Sequence, residues 1–169
     1  MKRVVILGRG AAGKSTLARH LGEITGLPVI ELDTLFWRSG LVPTSRPGWT
    51  ELQERLVQKD SWILDGDLGP HDAVEVRLRA ADTIILLDFA LFRCTWRVLR
   101  RASERLDFWR WVLAYRRQSV PRLMDAISRY APNAELHVLR TPGAVKEFMV
   151  VVGGQLRSSG GQPPPRRAP

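Results

Sequence analysis

The sequence predicts an α/β protein: a parallel β-sheet with helices packed on both faces. Three observations carry this. Short apolar runs alternate with stretches of helical periodicity, the pattern of units that close a parallel sheet through crossover helices. Charged residues stand directly after those runs, at Asp33, Asp65, Asp88 and Arg140, where an open α/β sheet places its ligands. Between the first run and the first helical stretch lies Gly8-Arg9-Gly10-Ala11-Ala12-Gly13-Lys14-Ser15. It fits G-x-x-x-x-G-K-[ST], the phosphate-binding P-loop.

The elements follow in order. Lys2-Arg3-Val4-Val5-Ile6-Leu7 is a short apolar run suited to a buried parallel strand. After the loop, Leu17, Leu21 and Ile24 recur at helical spacing, and Gly26 and Pro28 close that helix. Val29-Ile30-Glu31-Leu32 reads as the second strand, ending at Asp33. Thr34 to Trp49, with two glycines and two prolines, reads as loop, and a helix is expected from about Thr50 to Lys59. Ser61-Trp62-Ile63-Leu64-Asp65 is the third strand, cut off by Gly66. Pro70 opens a helix that carries Val74, Leu78 and Ala81. Asp82 to Asp88 is the fourth strand. Leu91 to Arg105 is helical and basic, and Asp107 caps a further helix to about Gln118. Pro121 starts a new helix to Tyr130, Leu136 to Leu139 is the fifth strand, and Pro142 to Val152 is the last helix. The expected domain is therefore 1–152. Residues 153–169, rich in Gly, Pro and Arg, read as a disordered tail.

The P-loop chemistry follows from its residue types. Gly8, Gly10 and Gly13, with Ala11 and Ala12, let backbone N–H groups curl around an anion without side-chain clashes. The helix that starts near Gly13 adds its positive dipole end. Lys14 can reach the β- and γ-phosphates of a nucleoside triphosphate, and Ser15 can offer its hydroxyl to Mg²⁺. Thr16 is placed to donate to the α-phosphate. The cofactors read from this stretch are ATP and Mg²⁺.

Two carboxylates end a run of apolar-leaning residues, Asp65 and Asp88. Either can hold the metal through water. Asp65 is preferred, because the glycine after it lets the backbone turn close to the phosphates. Asp88 has the alternative of fixing neighbouring backbone. Asp33 either binds an acceptor hydroxyl and takes its proton, or caps the segment that follows it. Arg97, Arg100 and Arg101 share one helix face, where guanidinium groups can neutralise charge on a transferring phosphoryl group.

Composition narrows the classes. One domain is the default for 169 residues, and 44% hydrophobic residues supply a core. The first apolar run leads directly into the P-loop, unlike a secretory signal, and no run approaches the length of a membrane span. A lone Cys94 excludes an internal disulfide and fits a cytoplasmic location. His20, His71 and His137 have no metal-ligand spacing. The formal net charge of +9 points to anionic partners. From Leu91 to Tyr130 there are ten arginines against three acids. That stretch suits either the phosphates of a bound nucleotide or a nucleic-acid face.

Several stretches together resemble one family. They are the P-loop, Leu32-Asp33 with Phe36-Trp37, Trp62-Ile63-Leu64-Asp65-Gly66, Arg77-Leu78 with Ala81-Asp82, Leu87-Asp88, and Cys94 with Trp96-Arg97-Val98-Leu99-Arg100-Arg101. The family is the adenylate-kinase-like "DNA topology modulation" group of P-loop NTPases, and the resemblance runs from Met1 to about Phe148. It implies a three-layer, nucleoside-monophosphate-kinase-like fold with a five-stranded parallel sheet in the order 2-3-1-4-5. It implies ATP on the P-loop and an acceptor near Asp33. Arg97 resembles the arginine at the base of the lid and Arg101 the one that reaches phosphates, while Arg140 sits where such kinases enclose the base. The chain departs from the pattern after Asp65-Gly66. Adenylate kinases place an aromatic, Pro and then an acceptor-gripping Arg there, whereas this chain has Asp67-Leu68-Gly69-Pro70-His71. The lid is also short, about 102–106. The expected activity is transfer of the γ-phosphoryl group of ATP to a small acceptor, with a nucleotide among the candidates. The missing arginine favours a sugar or other alcohol as acceptor. A nucleotide-gated DNA-binding protein is the alternative.

Overall fold

The computed structural model describes residues 1–38, 42–69, 72–89 and 120–158. Five strands form the central parallel sheet: β1 (Arg3–Gly8), β2 (Val29–Glu31), β5 (Trp62–Asp65), β6 (Thr83–Leu87) and β7 (Glu135–Leu139). They lie in the order β2-β5-β1-β6-β7, which is 2-3-1-4-5 when only these strands are counted. Every adjacent pair is parallel. The P-loop strand is thus central, with the ends of β5 and β6 on either side of it.

Alternation along β1 explains the layers. Val4 and Ile6 pack with Leu17, Ala18 and Leu21 of helix α1 (Lys14–Thr25) and with Val152 of helix α6 (Pro142–Ser158). Val5 and Leu7 face the other way. They join Trp49 of α3 (Arg46–Val57), Leu78 of α4 (Val74–Ala80), and Leu123 and Ile127 of helix α5, residues 120–130. A strand buried on both faces needs an unbroken apolar run, and 4–7 supply one with no exposure. Each such side chain contributes about 1.5–3 kcal/mol of burial free energy.

Several element boundaries differ from those expected. Helix α4 begins at Val74, four residues after the expected Pro70, and Ala81 lies just past its end. The second strand stops at Glu31, and Leu32–Phe36 form a short helix, α2. Leu32 and Phe36, one helical turn apart, share a face of α2 and are both buried, whereas an extended chain would have carried them about 13 Å apart. Asp33 therefore sits in the first turn of α2 instead of ending a strand. The segment after it holds a short antiparallel pair of two-residue strands, β3 (Trp37–Arg38) with β4 (Val42–Pro43). Helix α3 begins at Arg46, before the expected Thr50. Pro47 is tolerated there because the first turn of a helix has no use for its missing N–H, and the early start buries Trp49 completely. The last helix continues through Gly153 and Gly154 to Ser158, past the expected end at Val152.

Among the described residues, no helix is long and apolar enough to cross a membrane. Pro70, His71, Cys94, Trp96, Arg97, Arg100, Arg101, Asp107, the expected lid at 102–106 and the tail beyond 158 lie outside the described residues.

The turn after β5 depends on Gly66. Its φ is +148°, and a Cβ there would stand 2.9 Å from the Leu32 Cβ. Gly66→Ala should therefore cost about 2 kcal/mol or more, from backbone strain and overpacking together. Urea unfolding checks this: the midpoint should fall with an unchanged slope, whereas an unchanged midpoint would show that the turn relaxes freely.

Candidate functional site

The site is built at the carboxyl ends of β1, β2 and β5. Gly8, the last residue of β1, lies beside Leu87 of β6. The chain then turns through Ala11 at φ +61° and Gly13 at φ +94° before α1 starts at Lys14. Ala12 N–H closes the turn on the Arg9 carbonyl at 3.2 Å. Left-handed residues within the turn help direct consecutive N–H groups to one concave side, a cradle for an anion. Helix α1, three turns long, aims its N-terminus at the same place. Lys14 Nζ donates to the Arg9 carbonyl at 3.3 Å, so the ammonium group stays over the loop. Ser15 and Thr16, in the first turn of α1, are exposed.

Asp65 is placed beside this cradle. It ends β5, where it pairs in register with Ile6 on one side and Glu31 on the other. It is only 3% exposed. Burial raises its pKa above the usual carboxylate value, while the neighbouring Ser15 hydroxyl and the Lys14 charge act to lower it. Its Oδ1 has no hydrogen-bond partner among the described residues. A buried, unsatisfied carboxylate oxygen is costly, and a hydrated divalent cation bound to nucleotide phosphates would satisfy it. Among the described residues, no group of three His, Cys, Asp or Glu could hold a metal by itself. The set therefore fits Mg²⁺ that takes most of its ligands from phosphate and water, with Ser15 and Asp65 as the protein's contribution.

Asp33 lies across from the P-loop, on α2, with its side chain exposed. Its pKa is raised, first by desolvation and then by the charges of Asp67, Asp72 and Glu31, against the lowering effect of Lys14. Lys14 thus acts on both Asp33 and Asp65. The structure brings Gly8 to Thr16, Asp65 and Asp33 to one end of the sheet.

Asp88 is engaged elsewhere. Its carboxylate stands 3.6 Å from Arg140 Nε, and its N–H donates to the Leu139 carbonyl at 3.0 Å. This ion pair joins the ends of β6 and β7. Arg140 itself is largely exposed.

Sequence reasoning missed one cluster. Arg77 on α4 is fully buried and makes a two-pronged bond to Asp72, Nη1 to Oδ1 at 2.8 Å and Nη2 to Oδ2 at 2.6 Å. Nη1 also donates to Gln53 Oε1 at 2.9 Å, and Nη2 to the Gly66 carbonyl at 2.9 Å. Asp72 further accepts from Trp49 Nε1, Gln53 Nε2 and the Leu68 N–H, each at 3.3 Å. Burial alone would raise the Asp72 pKa, but Arg77 and these donors hold it below the ordinary value. Arg77 stands among the residues that carry the family resemblance, but nothing in the sequence marks Asp72 as its partner, and its other partners are distant in the chain.

No family model and no curated protein matches the chain. Solved structures do. A shikimate kinase from Acinetobacter baumannii, in complex with shikimate, is similar at 16% identity and a TM-score of 0.67, with 94% of each chain covered. A sugar kinase from a Janibacter species reaches 16% identity and 0.57 over 96% of each chain. A gluconokinase from Sinorhizobium meliloti reaches 15% and 0.56 over 94% of each. At these identities the likeness concerns the fold: the chain has the α/β fold of P-loop small-molecule kinases.

Proposed function

We propose that this protein is an ATP- and Mg²⁺-dependent phosphotransferase whose acceptor is a hydroxyl group on a small molecule. The observation that carries the reading is the convergence of three parts at one sheet end. They are a P-loop with Lys14, a buried Asp65 that feels Ser15 and Lys14, and an exposed Asp33 of raised pKa opposite them. The similar folds of the shikimate, sugar and gluconate kinases support a hydroxyl acceptor. So does the lack of an arginine in 66–71.

In this reading the N–H groups of Gly8 to Ser15 and the start of α1 bind the phosphates, with Thr16 on the α-phosphate. Lys14 neutralises charge on the γ-phosphate. Mg²⁺, held by Ser15 and through water by Asp65, would screen the β- and γ-oxygens. Asp33 accepts the proton of the attacking hydroxyl. The acceptor oxygen forms a bond to the γ-phosphorus, the bond to the β,γ-bridging oxygen breaks, and ADP leaves. A base with a pKa raised toward neutrality binds that proton more firmly. Arg97 and Arg101 are assigned to the transferring phosphoryl group and Arg140 to the base side. The lone Cys94 suits the reducing cytoplasm.

Asp65→Asn should keep the shape and lose the charge, so Mg²⁺-dependent turnover should drop about 10²-fold for every acceptor alike. A loss limited to one acceptor would place Asp65 in the acceptor pocket instead. The reading as a whole is tested by ADP release with cyclic polyols, aldonates, sugars, nucleosides and nucleoside monophosphates, each with and without duplex DNA. Stimulation by an alcohol supports the kinase. Stimulation by DNA alone supports the nucleotide-gated DNA binder that the charge of +9 and the arginine-rich stretch favour.

A further inference from the structure

We infer that Arg77, through Asp72, is a positioning residue that holds the turn after Asp65 in register with the acceptor-side helix pair α2–α3. The inference rests on the phosphotransferase reading and adds a group to it that touches neither phosphate nor acceptor.

The connections can be followed atom by atom. On one side, Arg77 Nη2 donates to the Gly66 carbonyl, and Asp72 Oδ2 accepts the Leu68 N–H. Those two bonds fix both ends of the turn that carries Asp67 and begins one residue after Asp65. On the other side, Asp72 Oδ1 accepts from Trp49 and Gln53, both on α3. The Trp49 ring meets Phe36 edge to face, with centroids 5.1 Å apart. Phe36 is the last residue of α2, the helix whose first turn bears Asp33. One ion pair therefore connects the element of the proposed base to the element of the proposed metal carboxylate. Leu32 of α2 also packs directly over Gly66, so any movement of the turn is felt at Asp33.

The chemistry of the pair suits this task better than it suits stability. A buried ion pair pays a large desolvation cost, and apolar replacements of both partners are often as stable or more so. What an Arg fork provides that apolar side chains cannot is directional bonding to a chosen carbonyl and carboxylate. Here both forked nitrogens are used, each on Asp72 and on one further acceptor. Reacting groups must be held to within a fraction of an ångström for transfer to run.

The test uses the full-length chain. In the double variant Arg77→Met with Asp72→Leu, neither charge is left unpaired. The expected result is a melting temperature near wild type and Mg²⁺-ATP affinity within about twofold. kcat for the best acceptor should fall at least tenfold with a raised acceptor KM, and the Leu68 amide should lose hydrogen-exchange protection. Wild-type kcat and acceptor KM in a folded double variant would overturn the inference. Should that variant fail to fold, Trp49→Phe decides. It keeps a ring against Phe36 and removes only the bond to Asp72, so kcat should drop severalfold at unchanged ATP affinity, and no change overturns the inference. Should the wild type transfer phosphoryl to no acceptor, the phosphotransferase reading falls by itself. Unaltered Leu68 protection in the double variant would then overturn the positioning role as well.

Discussion

Lys14→Ala is expected to reduce phosphoryl transfer by roughly 10²–10³-fold, or about 2.7–4 kcal/mol of transition-state stabilisation. Lys14 is the first residue of α1, and its ammonium group is held over the P-loop by the Arg9 carbonyl. Negative charge on the γ-phosphoryl oxygens shifts as the bond to ADP breaks, and a fixed cation beside it is worth most in a site that excludes water. The side chain is only partly buried and its ammonium group bonds within the loop, so truncation should leave the urea midpoint within experimental error. The backbone cradle and the helix terminus remain, so ATP binding should weaken less than kcat falls. Steady-state kinetics and calorimetric ATP titration on the same preparation separate the two quantities. Wild-type turnover in a verified variant would remove the P-loop from the mechanism.

Asp33→Asn should produce the second large effect, a fall in kcat of about 10²–10⁴-fold, the range for losing a general base. ATP affinity should be spared, because Asp33 lies on α2 and the phosphates bind on the P-loop. The pH dependence gives an independent handle. A base works only when deprotonated, so the rate should fall as pH drops through the raised pKa of Asp33. Desolvation is the leading cause of that rise, and Asp67 is the first of the charges that add to it. Removing a negative neighbour makes the carboxylate easier to ionise and lowers its pKa. Asp67→Asn should therefore move the acidic limb of the kcat profile to lower pH. A limb that stays in place, or moves up, would assign the titration to another group.

The site was legible in the sequence to the extent that its physics is local. The P-loop needs glycines, a lysine and a hydroxyl in eight consecutive residues, with a strand before and a helix after, and all of this can be read without knowing the fold. Asp65 could be picked from its place at the end of an apolar run before a glycine. The environment of Asp33 could not. Val29 to Leu32 looks like a continuous strand, and only the packing of Leu32 over Gly66 shows why the chain turns into a helix one residue earlier. Pro47 and Gly48 suggested loop, yet the burial of Trp49 decided for a helix. Gly153 and Gly154 suggested a tail, and the continuation of α6 overrode their low helical propensity. The Arg77 cluster was the least legible. Its partners Gln53 and Gly66 lie 24 and 11 residues away, and a charged side chain carries no mark of whether it will be buried.

The fate of the γ-phosphoryl group tests the central claim most directly. Single-turnover reactions with γ-labelled ATP and Mg²⁺, run with each small hydroxyl compound and with duplex DNA, would be resolved into acceptor, inorganic phosphate and protein. The account predicts label on the oxygen of a small alcohol, dependent on Lys14 and on Asp33. Label found only in inorganic phosphate, at a rate indifferent to every small acceptor and raised by DNA, would contradict it.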